Sequence, residues 1–292
     1  MANRMLERLR KKDKQGLFSA SQVSTAYKTG FLPFDYLNGY KVRVVDKNEN
    51  TVDSYPAIGL TGGTFNTIIG KSGTAKSTFC IQVAYNMIRN FEDDAFVIYY
   101  DLEQALNYTR IKNITGMSQI DMEDKFILKQ EKNYIEDIFD SIMQIANDKE
   151  SNKDELRYDT GMLDEFGNPI KNYIPTVIII DSLPILGTKS NDGENDMKSD
   201  TETNRIAKRI KQFYVKLMPV IKTYNITIFV INHITAKIEI NPFSKTQSQI
   251  MYLKQDESVP GGTAPIYLAN NLLKFNEIVD SFTSGMDKIN KE

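Results

Sequence analysis

Five short runs rich in β-branched and aromatic residues punctuate the chain, TFNTIIG (64–70), AFVIYY (95–100), FILKQ (126–130), TVIIID (176–181) and ITIFVIN (226–232), and AFVIYY is nearly continuous in apolar character. A strand that is apolar on both sides must be covered on both faces. Between the runs lie stretches of helical period. Lys76 to about Asn90 follows the first, and residues 133–147 carry Ile135, Ile138, Phe139, Ile142 and Ile145 on one stripe. Residues 201–224 turn Ile206, Ile210, Phe213, Leu217 and Ile221 inward, with Pro219 expected to kink the helix near its end. Strand alternating with helix is the pattern of a mostly parallel central sheet flanked by helices, an α/β fold. The 292 residues allow one large domain of this kind or two small ones.

Two segments interrupt the order. Residues 148–175 are polar and turn-rich and read as a surface insertion or hairpin. Residues 234–262 form a connection too long for a compact domain unless it is functional. Ahead of the core, residues 1–30 are locally basic, with Met5 and Leu9 at helical spacing, and KVRVVD reads as a strand before the turn-prone KNEN.

The composition excludes several classes. No run approaches the length needed to span a bilayer, so no membrane partner is expected, and no apolar segment follows the basic N-terminus as in a secretory leader. The lone Cys80 and lone His233 offer no Cys/His metal cluster, and a reducing cytoplasm fits best. With 36 basic against 38 acidic residues the net charge is −2, so any nucleic-acid binding must come from local cations rather than an overall basic face.

Chemistry concentrates at the strand ends. Gly70-Lys71-Ser72-Gly73-Thr74-Ala75-Lys76-Ser77-Thr78 follows a strand and opens a helix. Successive amides and the positive helix end make an anion cradle, Lys76 adds a point charge, and the Ser77 hydroxyl suits Mg²⁺. Ala75 stands where the usual motif has glycine, which is acceptable if that residue is already helical. Asp181, ending TVIIID, suits a Walker B role on Mg²⁺ or its waters, or is a strand-end turn aspartate. In Asp101-Leu102-Glu103, Glu103 has the chemistry to orient or deprotonate a water attacking the γ-phosphate, while Asp101 reads equally as a cap. The Asn232-His233 pair suits a γ-phosphate sensor acting on the following loop, or an ordinary satisfied strand end. Tyr108 and Arg110 are candidates for the nucleotide base or for surface packing.

Taken in order, GKSGTAKST, VIYYDLEQAL, TVIIIDSLPIL, FVINH and VPGGTAPIY resemble the RecA recombinase family, most closely its UvsX-type members from T-even-like phages, over roughly residues 29–275. Those proteins also accept a residue other than glycine before the P-loop lysine, carry D-x-E at the second strand end, and have Asn-His where bacterial RecA has Asn-Gln. The resemblance implies a RecA-like P-loop NTPase core over residues 31–280 and an ATP- and Mg²⁺-dependent, DNA-stimulated ATPase. It further implies a homo-oligomeric helical filament on single-stranded DNA that drives strand exchange in DNA recombination and repair. By it, Lys76 and Ser77 contact phosphates and metal, Asp181 supports the metal, Glu103 activates water, and His233 is the γ-phosphate switch.

The first DNA loop falls at about 187–200, with Lys189 and Lys198. The second falls at about 235–262, with Lys237, Phe243, Lys245, Lys254, Gly261 and Gly262. Residues 1–30 become an oligomerisation segment with Phe18 of GLFSA as anchor, and 281–292 a tail. In the family, strands and a basic segment continue beyond the second loop, so the core is expected to be shortened here or completed by another polypeptide. Two further expectations stand beside the recombinase: a non-catalytic, nucleotide-gated DNA-binding subunit needing such a partner, and a RecA-fold hexameric helicase.

Overall fold

The computed structural model describes residues 25–45, 50–91, 94–131, 133–163, 169–189, 200–236, 253–254 and 257–276. After a two-residue strand β1 (Ala26–Tyr27), helix α1 (Leu32–Asn38) and the hairpin β2 (Tyr40–Val45)/β3 (Thr51–Ala57), the short β4 (Leu60–Thr61) pairs back on β1. The core then builds from β5 (Phe65–Gly70), α2 (Lys76–Ile88), β6 (Phe96–Asp101), α3 (Tyr108–Thr115), α4 (Gln119–Lys125), β7 (Phe126–Lys129) and α5 (Ile135–Ser151). Hairpin β8 (Arg157–Leu163)/β9 (Pro169–Tyr173) leads to β10 (Thr176–Asp181), α6 (Asp200–Thr223) and β11 (Ile226–His233). The miniature ladder β12 (Thr235–Ala236)/β13 (Glu257–Ser258), α7 (Ala264–Tyr267) and β14 (Asn271–Phe275) complete it.

Six strands form one parallel sheet in the order β14-β5-β11-β10-β6-β7. The five apolar runs are its members, as their composition requires, and their alternate residues divide between two cores. Val177 and Ile179 of β10 join Ile68, Val97 and Phe229 beneath α2. Ile178 and Ile180 face Ile138 and Ile142 of α5 and Phe213, Tyr214 and Leu217 of α6. Each such burial contributes roughly 1.5–3 kcal/mol. Because all six strands run the same way, their carboxyl ends meet along one edge. Gly70, Asp101, Asp181 and His233 terminate β5, β6, β10 and β11 there, with Asp181 in register with Asp101 and His233 with Gly70.

Two expectations gain detail. Residues 148–175 contain the hairpin, their first four residues belonging to α5; its strands, Tyr173 apart, are exposed or half-buried at the surface, and its base is tied to the body. Lys149 is buried and donates to the Ile174 and Tyr224 carbonyls at 2.6 and 2.9 Å, Tyr173 is buried, and the Tyr158 hydroxyl meets that of Tyr27. Pro219 lies inside α6, which runs to Thr223, close to the expected end. The proline lies on the exposed side, where a carbonyl deprived of its partner can be hydrated. The basic segment before residue 25 and the tail 281–292 fall outside the described residues. Among the described residues no helix is long and apolar enough to cross a membrane.

Candidate nucleotide site

The loop between β5 and α2 turns on three backbone facts. Gly70 has no room for a side chain, because a Cβ there would lie 2.8 Å from both the Phe275 carbonyl and Thr74 Oγ1. Gly73 has φ +80° and open space around it. Ala75, expected to be helical already, is instead the residue before the helix, in the left-handed conformation with φ 64° and ψ 21°. That is the glycine region, so the alanine carries the steric cost which the usual glycine avoids. No side chain caps this helix end. Its first amides therefore have no partner within the helix and face the cavity as anion donors.

Lys76 is buried, and its ammonium donates to the Lys71 carbonyl at 2.6 Å, while Thr74 Oγ1 donates to the same carbonyl at 2.9 Å. Burial pulls the lysine below its ordinary range, opposed by the nearby Asp181 and Glu103 charges. Ser77 Oγ donates to Asp181 Oδ2 at 2.6 Å, and the Tyr99 hydroxyl donates to the same oxygen at 2.5 Å. Asp181 is held above the usual carboxylate range, chiefly by burial and further by Glu103 and Asp101, against the pull of the two donors.

Glu103 sits across the cavity. Its Oε1 accepts from Ser182 Oγ at 2.7 Å and meets His233 Nε2 at 2.7 Å. Partial burial works against the charge of Glu103, but the Ser182 and His233 contacts outweigh it and hold the carboxyl below its ordinary range. An ionised carboxylate only accepts, so His233 Nε2 carries the hydrogen. Asp101, left open between cap and catalyst, is a cap. Its carboxylate accepts from the Ala105 and Leu106 amides at 3.2 and 2.8 Å and from Gln130 Nε2 at 2.8 Å, fixing the turn that presents Glu103.

These groups line one cavity of about 370 Å³, closed on the far side by Ala105, Leu106 and Arg110. Lys76, Ser77, Thr78, Glu103, Asp181 and His233 all reach it, as does Arg110. Tyr108, at the first turn of α3, is 42% exposed and is not among its lining residues. Sequence reasoning missed Tyr99, Ser182 and Gln130; the parity of β6 carries a signal for the first, since Tyr99 and Asp101 share a strand face. The volume suits a nucleotide. One hydroxyl and one carboxylate, both hard oxygen donors, suit Mg²⁺ that also holds phosphate and water, so the residues fit both groups.

From this site the chain continues into the long connection. The Asn232 amide donates to the Pro260 carbonyl at 2.8 Å, and its Oδ1 accepts from the His233 backbone N–H. Thr235 and Ser258 pair across β12 and β13, closing a neck on that connection. Lys254 lies within it, its amide bonded to Glu257. Gly261 and Gly262 pack against Ile210 and Ala207 of α6, where a Cβ would lie 3.3 and 3.0 Å from those side chains. Lys189 is tied to Asp137 at 2.5 Å. Lys198, Lys237, Phe243 and Lys245 lie outside the described residues.

No curated protein matches the chain. A family model for the KaiC ATPase matches residues 50–196, a span reaching from the hairpin before the phosphate loop past Asp181 and Ser182. With half of the chain covered, and with a P-loop, an apolar strand ending in Asp181 and a parallel sheet of RecA-like type, the chain belongs to the KaiC-like ATPase family.

Proposed function

We infer that this ATPase works on DNA, as a RecA-type recombinase that polymerises on single-stranded DNA and promotes strand exchange. The observation that carries the reading is the linkage at the end of β11. His233 touches Glu103, the group best placed to act on an attacking water, while its neighbour Asn232 holds Pro260 at the close of the connection that would contact DNA. A change at one end of this dipeptide is felt at the other within two residues.

In hydrolysis, the α2 amides and Lys76 would hold the triphosphate, and Ser77 and Asp181 would hold Mg²⁺, which would supply neutralisation of charge on the phosphate oxygens. Glu103 positions a water and takes its proton, its carboxylate oriented by the Ser182 and His233 contacts at Oε1. A ligand that moves His233 thereby alters the aim of the base.

The test is ATP hydrolysis with and without poly(dT), beside electron microscopy with a slowly hydrolysed ATP analogue. DNA-stimulated turnover lost in Lys76→Ala, together with helical filaments, supports the reading. Hydrolysis indifferent to DNA overturns it, and closed rings would assign the chain to the helicases instead.

A further inference from the structure

The near-neutral chain needs a local cationic surface if it is to hold a polyanion, and the described residues contain one that the nucleotide site does not use. From Asn204 to Thr223, α6 carries Arg205, Lys208, Arg209, Lys211, Lys216 and Lys222 and no carboxylate. Some of this charge is engaged: Arg209 lies 3.9 Å from Glu136, and Lys216 sits over the Phe139 ring. Lys208, Lys211 and Lys222 are exposed and, among the described residues, make no ion pair. They fall at the spacing of a single helix side, with Val215 and Met218, 51% and 40% exposed, between them. At 1.5 Å per residue the three ammonium groups span about 21 Å.

The stripe also has a direction. Its upper end adjoins the closing segment of the long connection, because Gly262 packs on Ala207, and Lys211 lies one turn beyond Ala207 on the same side. We propose that this face of α6 is a binding rail for nucleic-acid backbone, continuous with the mouth of the connection and led away from it by Lys208, Lys211 and Lys222. The proposal rests on the DNA reading above and adds residues that reading does not contain. Phosphate is the favoured occupant because the three cations share one helix side and no carboxylate stands among them from Asn204 to Thr223. Val215 and Met218 lie between Lys211 and Lys222 on the same side.

The experiment compares the full chain with the variant Lys208→Gln/Lys211→Gln/Lys222→Gln, and with a control removing equal charge elsewhere, Lys41→Gln/Lys112→Gln/Lys171→Gln. Binding of a fluorescent dT oligonucleotide is measured from 50 to 200 mM salt with a slowly hydrolysed ATP analogue. Loss of three phosphate contacts makes the plot of log affinity against log salt shallower by about 2, so the fall across that range shrinks by about 20-fold. The control keeps the wild-type slope, and a Lys→Arg triple restores it. A slope unchanged in the α6 variant while the wild type binds, or an equal change in the control, overturns the rail and leaves the DNA reading standing. A wild-type chain that binds no oligonucleotide overturns both.

Discussion

Ser77 and Asp181 stand 104 residues apart in the chain, yet the serine hydroxyl lies 2.6 Å from the aspartate carboxylate. The pair joins the phosphate loop to the end of β10, and its carboxylate is a costly one to bury. The pKa of Asp181 lies above its ordinary value of 3.8. Its protonated form is therefore favoured by folding. Its stabilising contribution is complete below 3.8 and is lost as pH rises through the higher folded value. At neutral pH the ionised group works against the nucleotide-free fold. Asp181→Asn should raise the melting temperature of nucleotide-free protein at pH 7, the gain shrinking towards pH 4. Hydrolysis should fall at least about 100-fold. Calorimetry and a phosphate-release assay check the two halves.

Glu103 has the opposite sign. It is held below 4.5, so its contribution is present above that value and lost as pH falls through the lower folded one. Glu103→Gln should make acid unfolding shallower below pH 4.5. As a general-base loss it should cut turnover by roughly 10²–10⁴-fold with nucleotide binding retained. Equal losses in binding and turnover would assign Glu103 to structure alone.

Ala75 occupies the left-handed region at the entry to α2. Relief of that conformation is worth about 1–2 kcal/mol, less roughly 0.5–1 kcal/mol for the greater freedom of glycine in the unfolded chain. Ala75→Gly should thus stabilise the protein by about 1 kcal/mol in chemical denaturation. Ala75→Val should destabilise it by more, since a β-branched side chain tolerates this region least.

Lys149 is buried against two carbonyls, and burial lowers its pKa to about 7. Above that value the folded protein holds the amine neutral while the unfolded chain still binds the proton, so stability rises from pH 7 towards 10. Lys149→Met should remove one proton's worth of that slope, about 1.4 kcal/mol per pH unit. Urea titrations at pH 7, 8 and 9 measure it.

The five sheet strands with apolar runs, the three long helices and the phosphate loop were all legible in sequence, because each is signalled by local periodicity or by a contiguous motif. The sixth strand, Asn271–Phe275, is only half-buried at the sheet edge, and its short run NLLKF was no signal of a strand by itself. Asp181, Glu103 and His233 were legible as strand-end polar residues. The hydrogen bonds that join Glu103 to His233 and Asp181 to Ser77 and Tyr99 were not, since register across a parallel sheet joins residues scores of positions apart. Ala75 shows the limit most sharply. The motif assigns a residue to the position, but its φ is set by the path of the loop into α2.

The edge position of β14 bears on the order in which the molecule is made. β5 pairs on one side with β11 and on the other with β14, and Phe275 stands in register with Gly70. Asn271 and Asn66, 205 residues apart, bond through their side chains at 2.9 Å. The first strand of the core thus waits for the last described one. A nascent chain has synthesised its phosphate loop more than 200 residues before it can fasten down the outer flank of β5, so the strand that carries the loop gains its second neighbour late in synthesis.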